Sequence, residues 1–276
     1  MVRTRQRPTR GDSRRLGAAV GQFVAEAAAL VLRQGRRLRP GDVRRKGEGD
    51  FVTAVDLRIE RRLRRQLSAL LPEAGFLGEE TASADLDREC IWVVDPIDGT
   101  SNFAAGLPHH AVAVALLVAG DPVLGVAHCA PEQALYVARR GAGTTRNGRR
   151  LRIRAAGVDD AAIIGCQWHR GQQDLRFLAR LQRSGCRIRT LGSTVTQLAD
   201  VAAGRLVGNV QEQGRIWDFA AAGLIVEEAG GRFTDWRGRP VFPLRDLAAE
   251  HTPTVAGAPG AHGELLRRLA GRKARA

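Results

Sequence analysis

The chain has 276 residues, 44% hydrophobic and 26% charged, with a formal charge of +14, enough length to bury a core in one large domain or two joined lobes. No stretch approaches the roughly 18 consecutive apolar residues of a membrane span, and MVRTRQRPTRGDSRR is not followed by the apolar core of a secretory signal, so a cytoplasmic location with no membrane partner is expected. Cys90, Cys129, Cys166 and Cys186 stand singly, with no CxxC pair and no His at ligand spacing, which argues for a reducing compartment and against a zinc site.

Six arginines crowd the first fifteen residues without apolar periodicity, so residues 1–14 are expected to be a disordered basic tail, with a second basic tail at 271–276. Residues 15–270 then form a single domain of two closely joined α/β lobes, with a boundary near 150. From Leu16 to Leu32 apolar residues recur at helical spacing (Leu16, Val20, Phe23, Val24, Ala27, Leu30, Val31), which predicts an amphipathic helix covering a sheet. RPGDVRRKGEGD breaks it. A second helix is expected from Asp56 to Leu71, ended by Pro72, with Leu57, Ile59, Leu63, Leu67 and Leu70 inward. Short apolar runs bounded by turn residues follow and read as strands, several in antiparallel pairs: 75–77, 91–94, 112–118, 123–128 and 135–138. The second half alternates: strand 163–166, helix 172–181, strand 186–190, helix 195–203, strand 206–209 and helix 217–229. That alternation predicts an α/β chain with a partly parallel sheet under helical layers.

The most informative stretch is IWVVDPIDGTSNF, 91–103. An apolar strand ends on Asp95, where a carboxylate is poorly solvated and needs a cation or several donors. Pro96 stiffens the turn, Asp98 follows on the same side, and Gly99 lets the backbone approach a ligand. If a helix starts here, the amides of Gly99 and Thr100 can receive a phosphate. The alternative is a plain turn, since Asp, Pro and Gly are turn residues. Three further acidic elements weigh against it: Glu79 and Glu80 after AGFLG, Asp50 and Asp56 around FVTAV, and Asp218 opening FAAAGLIVEEAGG. Asp218 alone could be a helix cap. Together the four elements point to a divalent-cation site built from hard oxygens.

GEE at 78–80, DPIDGTSNF at 95–103 and WDFAAAGLIVEEAGG at 217–231 resemble, in this order, the signature motifs of the inositol monophosphatase superfamily. DFVTAVD at 50–56 and RTLGSTVTQLADVAAG at 189–204 extend the similarity across about 16–269. The resemblance implies a layered αβαβα sandwich of the inositol monophosphatase and fructose-1,6-bisphosphatase type, with two or three Mg2+ ions in an acidic cleft. By motif match, Glu79, Asp95 and the carbonyl of Ile97 would hold the first ion, and Asp95, Asp98 and Asp218 the second. Glu79 would support a third through waters. Thr100, bonded to Asp56, would help deprotonate the attacking water. Asp98 and the amides of Gly99 and Thr100 would contact the substrate's phosphate group, while Asp50 would lie near the cleft or on the surface.

The family places a substrate-contacting Glu shortly before its WD motif. Glu212 is the candidate here, with Gln211 as the alternative because the spacing differs by one residue. The loop GCQWHRGQQD, 165–174, would shape the pocket through Trp168, His169 and Arg170 or else be plain surface, and His109 and His110 read as structural. The implied reaction is Mg2+-dependent hydrolysis of a small phosphorylated alcohol, inositol monophosphate first, with lithium sensitivity and a homodimer. Histidinol phosphate, fructose 1,6-bisphosphate and 3′-phosphoadenosine 5′-phosphate are rival substrates within the fold. The rival from another class is a nucleic-acid-binding protein using the basic surface. Lys46 and Lys273 are the only lysines, so the charge reads as a bias toward arginine. No aromatic-rich or helix-turn-helix signature accompanies it, and a nucleic-acid partner is not expected.

Overall fold

The apolar runs of the first half pair into one sheet in chain order. The computed structural model describes residues 10–35, 43–47, 50–159, 161–168, 175–183, 185–248 and 251–270. Strands β3 (Gly75–Gly78), β4 (Cys90–Asp98), β5 (Ala111–Val118), β6 (Asp121–Cys129), β7 (Ala134–Arg139), β8 (Gly143–Arg146) and β9 (Arg149–Leu151) form a seven-stranded sheet in that order. β3 and β4 are parallel and every later pair is antiparallel. All residues of β5 are buried, because helices cover both faces of the sheet, and its sequence is accordingly an unbroken apolar run.

One face carries α1 (Arg10–Gly35) and α2 (Ala54–Leu70). Val20, Val24, Ala27, Ala28 and Val31 of α1 meet Ile59, Leu63 and Leu67 of α2 over Trp92, Val94, Val112, Val114 and Leu116 of the sheet. Ser13–Gly35 is long and apolar enough to cross a membrane by composition, yet its apolar stripe is a core face. The helix starts at Arg10, inside the segment expected as tail; residues 1–9 and 271–276 lie outside the described residues. The buried stripe of α2 is Val55, Asp56, Ile59, Glu60, Leu63 and Leu67, so Leu57 is rotated away from the inward position expected for it. Between the two helices lies a hairpin absent from the sequence expectation, β1 (Val43–Gly47) and β2 (Asp50–Thr53).

The other face carries α5 (Thr194–Ala202) and α6 (Ile216–Glu228), which are also covered by a second sheet of five strands. Its order is β11 (Arg187–Arg189), β10 (Ile163–Gln167), β12 (Gly208–Gly214), β14 (Thr252–Gly257) and β13 (Arg232–Asp235). β10 is parallel to β11 and β12, and β14 runs antiparallel to both its neighbours. On the outside, α4 (Arg176–Arg183) and α7 (Pro259–Leu269) pack Phe177, Leu181, Leu265 and Leu269 onto Ile164, Cys166, Val210 and Val255. The layers therefore run α1/α2, sheet, α5/α6, sheet, α4/α7, the αβαβα sandwich that the resemblance implies. Helix α4 starts at Arg176; the preceding expected helical residues 172–174 are outside the described set.

Candidate active site

Strand β4 runs on past its apolar part to Asp98, with a register shift against β5 between Asp95 and Asp98. The irregularity delivers both aspartates to the sheet end, where Gly99 turns the chain into the short helix α3 (Thr100–Ala104). Gly99 has φ 83°, and a Cβ there would stand 2.8 Å from His109 O and 3.0 Å from Gly192 O. Only glycine fits a left-handed turn pressed between two backbones. Asn102 ties the same turn down, its Nδ2 donating to His109 O and Leu191 O, both at 2.7 Å. The first turn of α6 brings Asp218 to this end of the sheet.

One carboxylate oxygen from each of Asp95, Asp98 and Asp218 lies within 4.8 Å of the others. Asp95 is buried and neither of its oxygens receives a hydrogen bond. Burial, and then the charges of Glu79, Asp98, Asp218 and Asp56, hold its pKa well above the usual carboxylate range. Asp98 accepts from the Ser193 hydroxyl and from the backbone N–H groups of Thr194 and Val195 at 3.0 and 2.9 Å. Burial still pushes it up to about 6 against these donors. Asp218, at the partly open mouth of the cluster, accepts from Arg215 N at 3.0 Å; desolvation and the Asp98 charge push it up to about 7. A buried carboxylate with no donor, surrounded by other carboxylates, is a costly arrangement that a divalent cation resolves. The donor set is oxygen-only, and it fits Mg2+.

Asp56 is buried on α2, and Thr100 Oγ1 lies 3.3 Å from its Oδ1 and 2.8 Å from Ile97 O. The single hydroxyl proton serves one of these acceptors at a time. Glu79 follows the last residue of β3, its N–H donating to Val94 O at 3.3 Å, beside Asp95 in the parallel pair. Glu79, Asp56, Asp95, Ile97, Asp98, Gly99, Thr100 and Asp218 thus come to one end of the first sheet. The side chain of Asp50, together with His169 and Arg170, is outside the described residues.

Gln211 and Glu212 are separated by the pleat of β12. Gln211 is buried, donating from Nε2 to Thr194 Oγ1 at 3.0 Å and to Gln213 O at 3.4 Å, so it ties β12 to the first turn of α5. Glu212 keeps partial exposure. Trp168 packs with the outer apolar cluster of α4 and α7. His110 is buried edge-on to Phe103, and burial lowers it to about 4, so it is a neutral packing residue as expected. The four cysteines are free, and burial raises the thiols of Cys129 and Cys166, leaving them poor nucleophiles.

Ser193, Glu60 and Asn102 were not singled out from the sequence. Ser193 carried a usable signal, a serine directly before an apolar helix, and its hydroxyl accepts from Thr196 N at 3.2 Å as an N-cap does. Glu60 carried another, an acid on the inward stripe of α2 one turn after Asp56.

A profile described as the inositol monophosphatase family matches residues 15–272. An inositol-1-monophosphatase of Rhizobium meliloti is 38% identical, over 79% of this chain and 84% of that protein. The inositol-1-monophosphatase ImpA of Mycolicibacterium smegmatis is 34% identical, over 92% and 93%. The crystal structure of the extragenic suppressor protein suhB from Bartonella henselae superposes with a TM-score of 0.82 at 32% identity, covering 92% of this chain and 97% of that one.

Proposed function

Because the chain belongs to the inositol monophosphatase family, we propose that the ester cleaved by this magnesium-dependent phosphoric monoester hydrolase is inositol monophosphate. The observation that carries the reading is Asp95, buried with both oxygens unbonded among four other carboxylates. Glu79, Asp95 and the Ile97 carbonyl would hold one Mg2+, and Asp95, Asp98 and Asp218 a second, with Glu79 available to a third. Bound magnesium neutralises phosphoryl charge and acidifies water. Thr100, with Oγ1 3.3 Å from Asp56 Oδ1, would take the attacking water's proton as it passes its own hydroxyl proton to Asp56. Asp98 and the amides of Gly99 and Thr100 face the phosphate group. Glu212 reads the alcohol, because it keeps partial exposure while Gln211 is buried and donates to Thr194 and Gln213.

Phosphate release from inositol monophosphate, histidinol phosphate, fructose 1,6-bisphosphate and 3′-phosphoadenosine 5′-phosphate tests this. Inositol monophosphate should be preferred, and activity should vanish on chelation and return with Mg2+. Undiminished turnover in excess chelator would sink the metal assignment, whereas preference for another ester would remove only the inositol. Family resemblance also carries lithium inhibition and a homodimer, to be checked by inhibition and by sedimentation. A cytoplasmic location fits the four free cysteines.

A further inference from the structure

Glu60 is fully buried on α2, one helical turn after Asp56, and no apolar packing role suits a carboxylate there. Its two oxygens are each taken by a backbone amide of the acidic loop: Oε2 accepts from Glu80 N at 2.8 Å and Oε1 from Thr81 N at 2.7 Å. The strand end lies directly on this carboxylate. A Cβ on Gly78 would stand 2.6 Å from Glu60 Cδ and 2.6 Å from Oε1. One turn further on, Arg64 reaches the same loop, its Nη1 3.1 Å from Ala82 O and 3.4 Å from Thr81 Oγ1. Asp56, Glu60 and Arg64 therefore form a stripe at i, i+4 and i+8, with Asp56 meeting Thr100 and the other two gripping the loop that carries Glu79.

We propose that Glu60 is a positioning residue for magnesium binding: its forked acceptance of the Glu80 and Thr81 amides fixes the backbone from which Glu79 faces Asp95. With both oxygens engaged by amides, Glu60 acts through the loop and not as a ligand. Gly78 completes the device by letting β3 rest on the carboxylate. The inference builds on the reading of Glu79 as a ligand. Glutamine cannot replace Glu60, because its single acceptor oxygen leaves an NH2 group facing a backbone N–H.

The test uses Mg2+ titrated calorimetrically into substrate-free enzyme, alongside the Mg2+ dependence of kcat, the KM, and melting in excess chelator. The proteins are wild type, Glu79→Gln, Glu60→Gln and Gly78→Ala. Glu60→Gln and Gly78→Ala should bind Mg2+ about 10–100-fold more weakly, the range found when groups orienting a metal ligand are removed. Both should need correspondingly more Mg2+ for half-maximal turnover and regain much of kcat when saturated, with KM little changed. If both variants melt lower in chelator but bind Mg2+ as wild type does, Glu60 only supports the fold and the proposal is overturned. Gly78→Ala, which pushes on the carboxylate from the loop side, decides the matter if Glu60→Gln does not fold. Unchanged Mg2+ binding in Glu79→Gln would instead remove Glu79 as a ligand. Weakened binding there with wild-type binding in the other two overturns the positioning role alone.

Discussion

Both oxygens of Asp98 are engaged by the first turn of α5, yet one of them also lies within 4.8 Å of Asp95 and Asp218. Asp218 likewise accepts the Arg215 amide at the start of α6 while facing the cluster. Cap and cluster member are therefore one role in each aspartate: the helix start fixes the carboxylate, and the carboxylate satisfies the helix start. Asp98→Asn and Asp218→Asn should both abolish turnover, since each takes a charge from the set proposed for one ion. Their stabilities should differ. Asn at 218 keeps an acceptor for its one backbone donor and removes a charge from the crowd. Asn at 98 turns an NH2 group toward donors that Asp98 now satisfies, so it should be less stable than the 218 variant by about 1–3 kcal/mol, the cost of an unsatisfied buried polar group. Melting in chelator checks this; equal melting temperatures would mean that α5 does not depend on the second oxygen of Asp98.

The turn from β4 into α3 can be probed against another turn of similar backbone conformation. Gly99 and Gly148 have φ 83° and 76°, but a Cβ at 148 meets nothing within 4 Å, while one at 99 meets two backbone oxygens. Gly148→Ala should cost only the left-handed penalty, roughly 1–2 kcal/mol. Gly99→Ala should cost more than that and also lower turnover, because relief of the clash moves Asp98 or Thr100. Comparable denaturation midpoints would show that crowding at Gly99 is easily relaxed. The same turns mark how far the elements were legible. The strands around β5 could be read because burial on both faces leaves an apolar run. The β8–β9 hairpin could not, being made of GTTR and RRL at the sheet edge, although Asn147-Gly148 between them is a hairpin-turn pair with positive φ at both residues. β12 was expected to stop at Asn209 but continues through the polar QEQG, because it pairs with β10 as far as Gln211 and with β14 as far as Gly214. β13, β14 and α7 were missed, the strands being short and set by pairing. At the site, acids in apolar surroundings were visible in the sequence. The groups that hold them or their loop, Glu60 and Ser193, depend on which backbone amide or carboxylate packing places beside them.

A molecule of formal charge +14 gathers its buried acids at one place, where β4, α2 and α6 converge, so protons and metal compete there over the whole fold. Without metal, Asp98 sits at about 6, Asp218 at about 7, and Asp95 well above its ordinary 3.8. Because these pKa values are raised on folding, the native state binds more protons than the unfolded chain, and stability falls as pH rises through them. Histidines act in the opposite sense. His110, His128 and His262 are lowered by burial from 6.5, so below that value the unfolded chain takes up protons and stability rises with pH. Glu26, Asp235 and Glu264 are lowered in the fold, and their stabilising contribution is lost only at more acid pH. The cluster is therefore exposed without opposition above the histidine range, and the metal-free protein should lose stability from about pH 6.5 to about pH 8. Magnesium binds the ionised form, so its affinity should rise over the same interval, and the melting temperature in saturating Mg2+ should lose the downward slope. Asp218→Asn should flatten the metal-free slope in part, having removed the group that titrates near its middle. Melting curves at closely spaced pH values, with chelator and with Mg2+, measure all three. A metal-free melting temperature that climbs toward pH 8 would mean that the aspartates are ionised in the empty cluster without strain, and that something other than a cation satisfies Asp95.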